Sequence, residues 1–278
     1  MINNYNELRM TKTRVISFIN QKGGVAKTTS TINTAAGLSF FKKKVLVIDF
    51  DQQANLTEVF FSSEDLEGKP TIYHLIENYI KDEESLSFKD IVLNYKNGDI
   101  SFDIIPSSEA LKNAEYTLIN QSGRELFLKN ILSKITGYDY ILIDCPPSLG
   151  ILTINVLSCS ENNELVIPTN LALFSKAGIR GLFETINTLN KKGISRQKDY
   201  HLLITEYVEN EIISRETERE IEEAFEGKIF KTRIRKNNAV EKAHNNSIDV
   251  ISFDPKSNGA KDYINFVKEL IKMEVKNG

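Results

Sequence analysis

Val15-Ile16-Ser17-Phe18-Ile19 runs directly into Asn20-Gln21-Lys22-Gly23-Gly24-Val25-Ala26-Lys27-Thr28-Thr29. An apolar run followed by a glycine-rich turn reads as a strand entering a phosphate-binding loop. Glycine carries no Cβ penalty in the conformations that aim successive backbone N–H groups at one anion. A helix beginning at about Lys27 adds its N-terminal amides and the positive end of its dipole. In a loop of this kind Lys27 supplies mobile positive charge to the β- and γ-phosphates, and Thr28 supplies a hydroxyl for Mg²⁺. The general pattern is Gly, four residues, then Gly-Lys-Ser/Thr. Here Ala26 stands in place of the second glycine, and a second lysine, Lys22, stands at the front of the loop.

Two further strands end in acids. Lys44-Val45-Leu46-Val47-Ile48-Asp49-Phe50-Asp51-Gln52-Gln53 is a continuous β-branched run of the kind buried on both faces of a parallel sheet. Asp49 and Asp51 flank Phe50, so in extended chain they share a side. Carboxylates at the C-terminal ends of parallel strands lie where α/β folds place ligands. Tyr138-Asp139-Tyr140-Ile141-Leu142-Ile143-Asp144 repeats the pattern before Cys145-Pro146-Pro147-Ser148. Asp144 can hold Mg²⁺ through its waters, and the prolines stop the strand.

Strands are expected at Arg14–Asn20, Lys44–Phe50, Ile100–Ile105, Tyr140–Cys145, Leu165–Thr169, His201–Tyr207 and Ile229–Ile234, with helices after most of them. Repeating β–α units imply an α/β fold: a doubly wound, mostly parallel sheet with helices on both faces. Residues 1–13 read as a flexible tail, 14–278 as a single domain, and Ser62–Pro70 as a mobile surface loop.

A hydrophobic content of 41% and a charged content of 26% suit an ordinary globular chain. There is no apolar run long enough to span a membrane and no secretory signal. Cys145 and Cys159 form no Cys-x-x-Cys pair, which argues against metal and redox chemistry. With a net charge of −3, nucleic acid would have to meet a local patch. In Phe230-Lys231-Thr232-Arg233-Ile234-Arg235 three cations alternate with other residues, and on a strand they would share one face. A solvated edge strand would show the same pattern. Lys191, Lys192, Arg196 and Lys198 form a second cluster that looks more like a helix end.

Together, Lys22 to Thr29, Val47 to Gln53, Ile143 to Ser148 and the Pro255-to-Tyr263 segment resemble the ParA/MinD family of deviant Walker-type ATPases, and within it the ParA partition ATPases. The resemblance runs in order from about Arg14 to Met273. It implies a cytoplasmic, nucleoid-associated ATPase that uses ATP and Mg²⁺ to segregate plasmid or chromosomal DNA with a ParB-type centromere-binding partner.

The resemblance also implies roles for individual residues. The amides of Gly23, Gly24, Val25, Ala26 and Lys27 line the phosphates, Thr28 ligates Mg²⁺, and Thr29 meets the α-phosphate. Lys22 reaches across a two-fold axis to the ATP of the other subunit in an ATP-dependent homodimer. Asp51 orients the attacking water while Asp49 and Asp144 support the metal, although Asp49 and Asp51 could exchange roles. Lys231, Arg233, Arg235 and Lys236 form the patch for non-specific double-stranded DNA. Many relatives have a Pro-Arg-Asn-type turn where this chain reads Arg235-Lys236-Asn237-Asn238.

The tail is too short for a helix-turn-helix domain, which disfavours the ParA class with its own operator-binding domain. A MinD-like membrane cycle would use the amphipathic segment from Tyr263 to Met273. Few residues follow that segment, so core packing is the expected role and no membrane partner is expected. A DNA-binding repressor with incidental hydrolysis is the other rival. A nitrogenase-reductase-like relative would need cysteines in different surroundings.

Overall fold

A computed structural model describes residues 13–81, 83, 85–159, 163–174, 176–208 and 212–277. Apart from Thr13, the expected tail lies outside them. The strands are β1 (Arg14–Phe18), β2 (Val45–Asp49), β3 (Leu93–Asn97), β4 (Ile100–Ile105), β5 (Tyr140–Asp144), β6 (Asn163–Asn170) and β7 (Tyr200–Thr205). They form one sheet in the order β3-β4-β2-β5-β1-β6-β7, and every neighbouring pair is parallel except β3–β4.

Alternate residues of each strand feed two cores. Val15, Leu46, Ile48, Ile141 and Ile143 face one, while Ile16, Phe18, Val47, Tyr140 and Leu142 face the other. On the second face lie α1 (Lys27–Phe40) and α2 (Asn55–Phe60), followed much later in the chain by α10 (Asn238–Asn245), α11 (Val250–Phe253) and α12 (Asn258–Asn277). Between them in sequence come α3 (Ser63–Leu66), α4 (Ile72–Lys81), α5 (Leu111–Ile119), α6 (Phe127–Lys134), α7 (Ile151–Ser158), α8 (Lys176–Lys191) and α9 (Ile212–Ala224). Of these, α4 to α9 cover the first face.

The central helix α1 is buried almost all round despite its polar sequence. Its hydroxyls bond back into the helix, Thr31 to the Lys27 carbonyl at 3.0 Å and Thr34 to that of Ser30 at 2.5 Å. Gly37 lets α12 close in, since a Cβ there would lie 2.7 Å from Val267 Cγ2. Helix α12 turns Tyr263, Phe266, Val267 and Leu270 into that core. Its apolar stripe is therefore occupied, as expected of core packing. Among the described residues no helix is long and apolar enough to cross a membrane.

The sheet departs from the sequence expectation at both edges. Leu93–Asn97 pairs antiparallel with β4 through a turn at Gly98, whose φ of 57° suits glycine. A polar strand with only Tyr95 buried carries a weak periodic signal. At the opposite edge, Ile229–Ile234 is not a strand. Phe230 N–H donates to the Leu202 carbonyl at 2.9 Å and Ile234 N–H to that of Ile204 at 2.9 Å, but the stretch between them leaves the edge. Glu269 of α12 takes its amides instead, from Lys231 at 2.7 Å and Thr232 at 3.0 Å. Ser62–Pro70, expected as a loop, contains α3, which is closed by a Ser62–Asp65 capping box.

Candidate active site

The loop from Asn20 to Lys27 closes the C-terminal end of β1, beside the ends of β5 and β2. Phe18 pairs with Asp144, and Asp144 with Asp49, so three strand ends converge on one spot. The Asn20 side chain anchors the loop by donating to the Pro168 carbonyl at 2.8 Å and accepting from Lys22 N–H at 3.0 Å. From the far side Thr205 Oγ1 donates to the Val25 carbonyl at 3.1 Å. Gly24 has φ 72° and Ala26 has φ 60°. Ala26 thus takes the left-handed conformation for which the general pattern supplies glycine, at a cost of about 1 kcal/mol. Helix α1 then starts with no side-chain cap and no acid in its first turn. A Cβ on Gly23 would have nothing within 4 Å. Uncapped amides facing open space are what an anion requires.

Lys27 is buried, and its ammonium donates to the Lys22 carbonyl at 3.2 Å. Burial lowers its pKa, against the pull of Asp144 and Asp51. Thr28 donates its hydroxyl proton to Asp144 Oδ2 at 2.6 Å, which leaves its oxygen lone pairs free for a cation. Thr31 Oγ1 lies 3.4 Å from Asp144 Oδ1. Burial and the neighbouring Asp49 push the Asp144 carboxyl up to about 8, and burial pushes Asp49 up to about 7. A buried, mutually repelling carboxylate pair beside a threonine oxygen suits a divalent cation, and among these groups Lys27 alone is cationic.

Both folded pKa values lie above the ordinary carboxylate value of about 4. Between that value and about 8 these two carboxyls bind more protons in the ligand-free fold than in the unfolded chain, so the stability they contribute falls as pH rises, while His201 and His244, whose pKa values burial lowers, act in the opposite direction around the ordinary imidazole value of about 6.5. Thermal melts without nucleotide in EDTA are expected to give a lower Tm at pH 8 than at pH 6. An equal or higher Tm at pH 8 would show that this carboxylate cluster does not govern the pH dependence.

Asp49 spends its oxygens inside the fold. Oδ2 accepts from Thr57 N at 2.9 Å and Thr57 Oγ1 at 2.6 Å, and Oδ1 accepts from Asp51 N at 3.2 Å. Among the described residues the Asp51 carboxylate accepts a turn contact from Gln53 N at 3.0 Å. Burial raises its pKa, opposed by the Gln53 amide and by Lys27. Lys22 points to the rim, where its ammonium donates to the Leu173 carbonyl.

The structure thus gathers Lys22, Gly23 to Thr29, Asp49, Asp51 and Asp144 from three separate stretches of the chain. Sequence reasoning missed Thr31, Thr57 and Ser107. Thr31 was findable, one helical turn beyond Lys27 on the same face. The other two owe their places to tertiary packing alone.

Residues 13–202 match the family AAA_31, described as an AAA domain. Sporulation initiation inhibitor protein Soj of Bacillus subtilis (strain 168) is 32% identical over 259 residues, covering 92% of this chain and 98% of that protein. The chain belongs to the ParA/MinD family of P-loop ATPases. Chromosome-partitioning ATPase Soj of Treponema pallidum (strain Nichols) is 33% identical over 259 residues, covering 93% of this chain and 97% of that one. Cobyrinic acid a,c-diamide synthase from Mycobacterium smegmatis, solved with a bound ATP analog and magnesium, superposes with a TM-score of 0.78 at 25% identity, covering 96% of this chain and 98% of that one. As a member of this family the chain is an ATP-hydrolysing P-loop enzyme, and its sheet and helices carry the fold expected of one.

The basic patch is divided by the fold. Arg233 pairs with Glu218 at 2.7 Å and Glu222 at 3.3 Å, and Arg235 meets Asp262 with two nitrogens, at 2.9 and 2.6 Å. Lys231 and Lys236 are exposed, and no ion pair engages them among the described residues.

Proposed function

We propose that this partition ATPase works as an ATP-gated DNA clamp. Two subunits meet face to face over Mg²⁺–ATP and bind DNA non-specifically, and they separate when a ParB-type partner stimulates hydrolysis in the nucleoid-occupied cytoplasm. The observation that carries this reading is the division of labour between two lysines. Lys27 already serves the loop from within, while the Lys22 side chain stands on its rim, its ammonium donating to the Leu173 carbonyl of its own subunit.

Within one subunit, Gly23 to Lys27 present their amides to the phosphates and Thr29 meets the α-phosphate. Thr28 holds the metal directly, and Asp144 does so through waters. Magnesium, when bound, neutralises charge on the β- and γ-oxygens. Asp51 positions the attacking water. Asp49 acts through its hydrogen bond to the Asp51 amide and through its charge beside Asp144.

For DNA, the exposed Lys231 joins Lys268 and Lys272 of α12 around a groove of about 430 Å³, with Asn265, Glu269 and Met273. Glu269, the acid in that lining, is turned onto the amides of residues 231 and 232. The groove therefore presents net positive charge. Changing Lys231, Lys268 and Lys272 to alanine is expected to weaken binding to all sequences and to lower the salt slope by about one per lysine. Arg235→Ala is expected instead to cost about 1 kcal/mol of stability and to leave DNA affinity within about twofold. The opposite outcome would return the contact to the arginines.

The reading as a whole is tested by titrating non-specific double-stranded DNA against salt in ATP, ADP and no nucleotide. Tight, salt-sensitive binding in ATP alone supports it. Binding indifferent to nucleotide overturns it.

A further inference from the structure

We infer that Thr57 and Ser107 are positioning residues for Asp51, holding it through a closed ring of hydrogen bonds that ties the turn after β2 to α2 and to the end of β4. The inference rests on the assignment of Asp51 to the attacking water.

The ring can be followed atom by atom. Thr57 Oγ1 donates to Asp49 Oδ2 at 2.6 Å and accepts from Ser107 N–H at 2.9 Å. Ser107 Oγ donates to the Asp51 carbonyl at 2.7 Å. Asp51 N–H donates to Asp49 Oδ1 at 3.2 Å and closes the circuit. The four residues are 0% (Asp49), 4% (Asp51), 0% (Thr57) and 1% (Ser107) exposed, so water does not compete for these bonds. Hydrogen bonds in such surroundings are stronger, and a complete network rigidifies what it joins.

Asp51 needs this support because it lies beyond the sheet. Strand β2 ends at Asp49, and its last continuation is the Phe50 N–H bonded to the Asp144 carbonyl at 3.0 Å. Past that point the Asp51 carboxylate takes, among the described residues, one hydrogen bond, from the next turn's amide. Its direction is therefore set by the main chain at residue 51, and the ring grips both the N–H and the C=O of that residue. Phosphoryl transfer depends on positioning, and a displacement of about 1 Å can cost about a hundredfold. Ser107 and Thr57 touch Asp51 or Asp49 and act through them.

The test uses the full chain with Mg²⁺–ATP and non-specific DNA, and measures kcat, KM and Tm. Ser107→Ala removes a donor from a carbonyl that still accepts from Ala54 N–H at 3.0 Å, so no buried acceptor is orphaned. It is expected to lower kcat about tenfold, with KM within about twofold and Tm within a few degrees. Thr57→Val is expected to lower kcat at least as much, while Thr57→Ser, which keeps the hydroxyl, retains kcat within about threefold. If Thr57→Val does not fold, Ser107→Ala and Thr57→Ser still decide the matter. Normal kcat in Ser107→Ala beside an inactive Asp51→Ala overturns the ring alone. A loss in Thr57→Ser as large as in Ser107→Ala assigns the effect to packing and overturns it too. An active Asp51→Ala overturns the assignment on which the ring rests.

Discussion

Lys22→Ala is expected to bind ATP within about threefold of the unaltered protein and to lose about a thousandfold or more of its hydrolysis. The size follows from what one cation supplied at the departing γ-phosphate contributes in related phosphoryl transfers, about 10³ to 10⁵ in rate. The split between binding and turnover follows from the geometry. Lys27, the loop amides and Thr28 all remain in their own subunit, the Lys27 ammonium bonds the Lys22 carbonyl, which alanine keeps, and the Lys22 ammonium donates elsewhere, to the Leu173 carbonyl. Equilibrium binding of a fluorescent ATP analogue, set beside turnover as a function of protein concentration, checks both halves. Hydrolysis that stays normal and independent of concentration would remove the role across the dimer. Lost ATP binding would show instead that Lys22 serves its own loop.

Asp51→Ala is the second large effect. Turnover is expected to fall about 10² to 10⁴-fold, the usual range for removing a group that handles the nucleophile. ATP should remain bound, so the protein accumulates as an ATP-loaded dimer on DNA. Gel filtration and DNA retention in ATP, followed over hours, report that state. Normal cycling would move the role to Asp49. The structure speaks against that exchange, since both Asp49 oxygens already accept hydrogen bonds from Thr57 and the Asp51 amide. Asp49→Ala should therefore impair folding as well as turnover, because it leaves buried donors without acceptors.

The two variants are expected to fail for different physical reasons, and the contrast reflects how the site is built. Lys22 stands on a long side chain at a rim, so its loss is expected to leave the loop intact. Asp51 stands in a turn whose main chain is held by residues 56 positions apart, Asp51 and Ser107. Effects at that turn should spread to α2 and β4, whereas effects at Lys22 should not.

Much of this was legible in the residues themselves. A five-residue apolar strand can enter a glycine-rich turn in few ways, and backbone sterics then dictate where the amides point. β-branched runs ending in Asp49 and Asp144 determine buried parallel strands with acids at one edge. Those local rules yielded the parallel sheet and the phosphate loop from sequence alone, and the resemblance of four ordered motifs added the family. The tertiary structure decided what local rules cannot reach. It turned Ile229–Ile234 off the sheet, because Glu269 from a distant helix took its amides. It withdrew Arg233 and Arg235 into ion pairs and set Lys231 beside Lys268 and Lys272. It also separated the surroundings of Asp49 and Asp51, which look equivalent in the chain: Thr57 bonds the Asp49 carboxylate, while Ser107 reaches the Asp51 carbonyl. In each case the deciding partner is a long-range hydrogen bond or charge whose strength depends on burial, and burial exists only once the chain has folded.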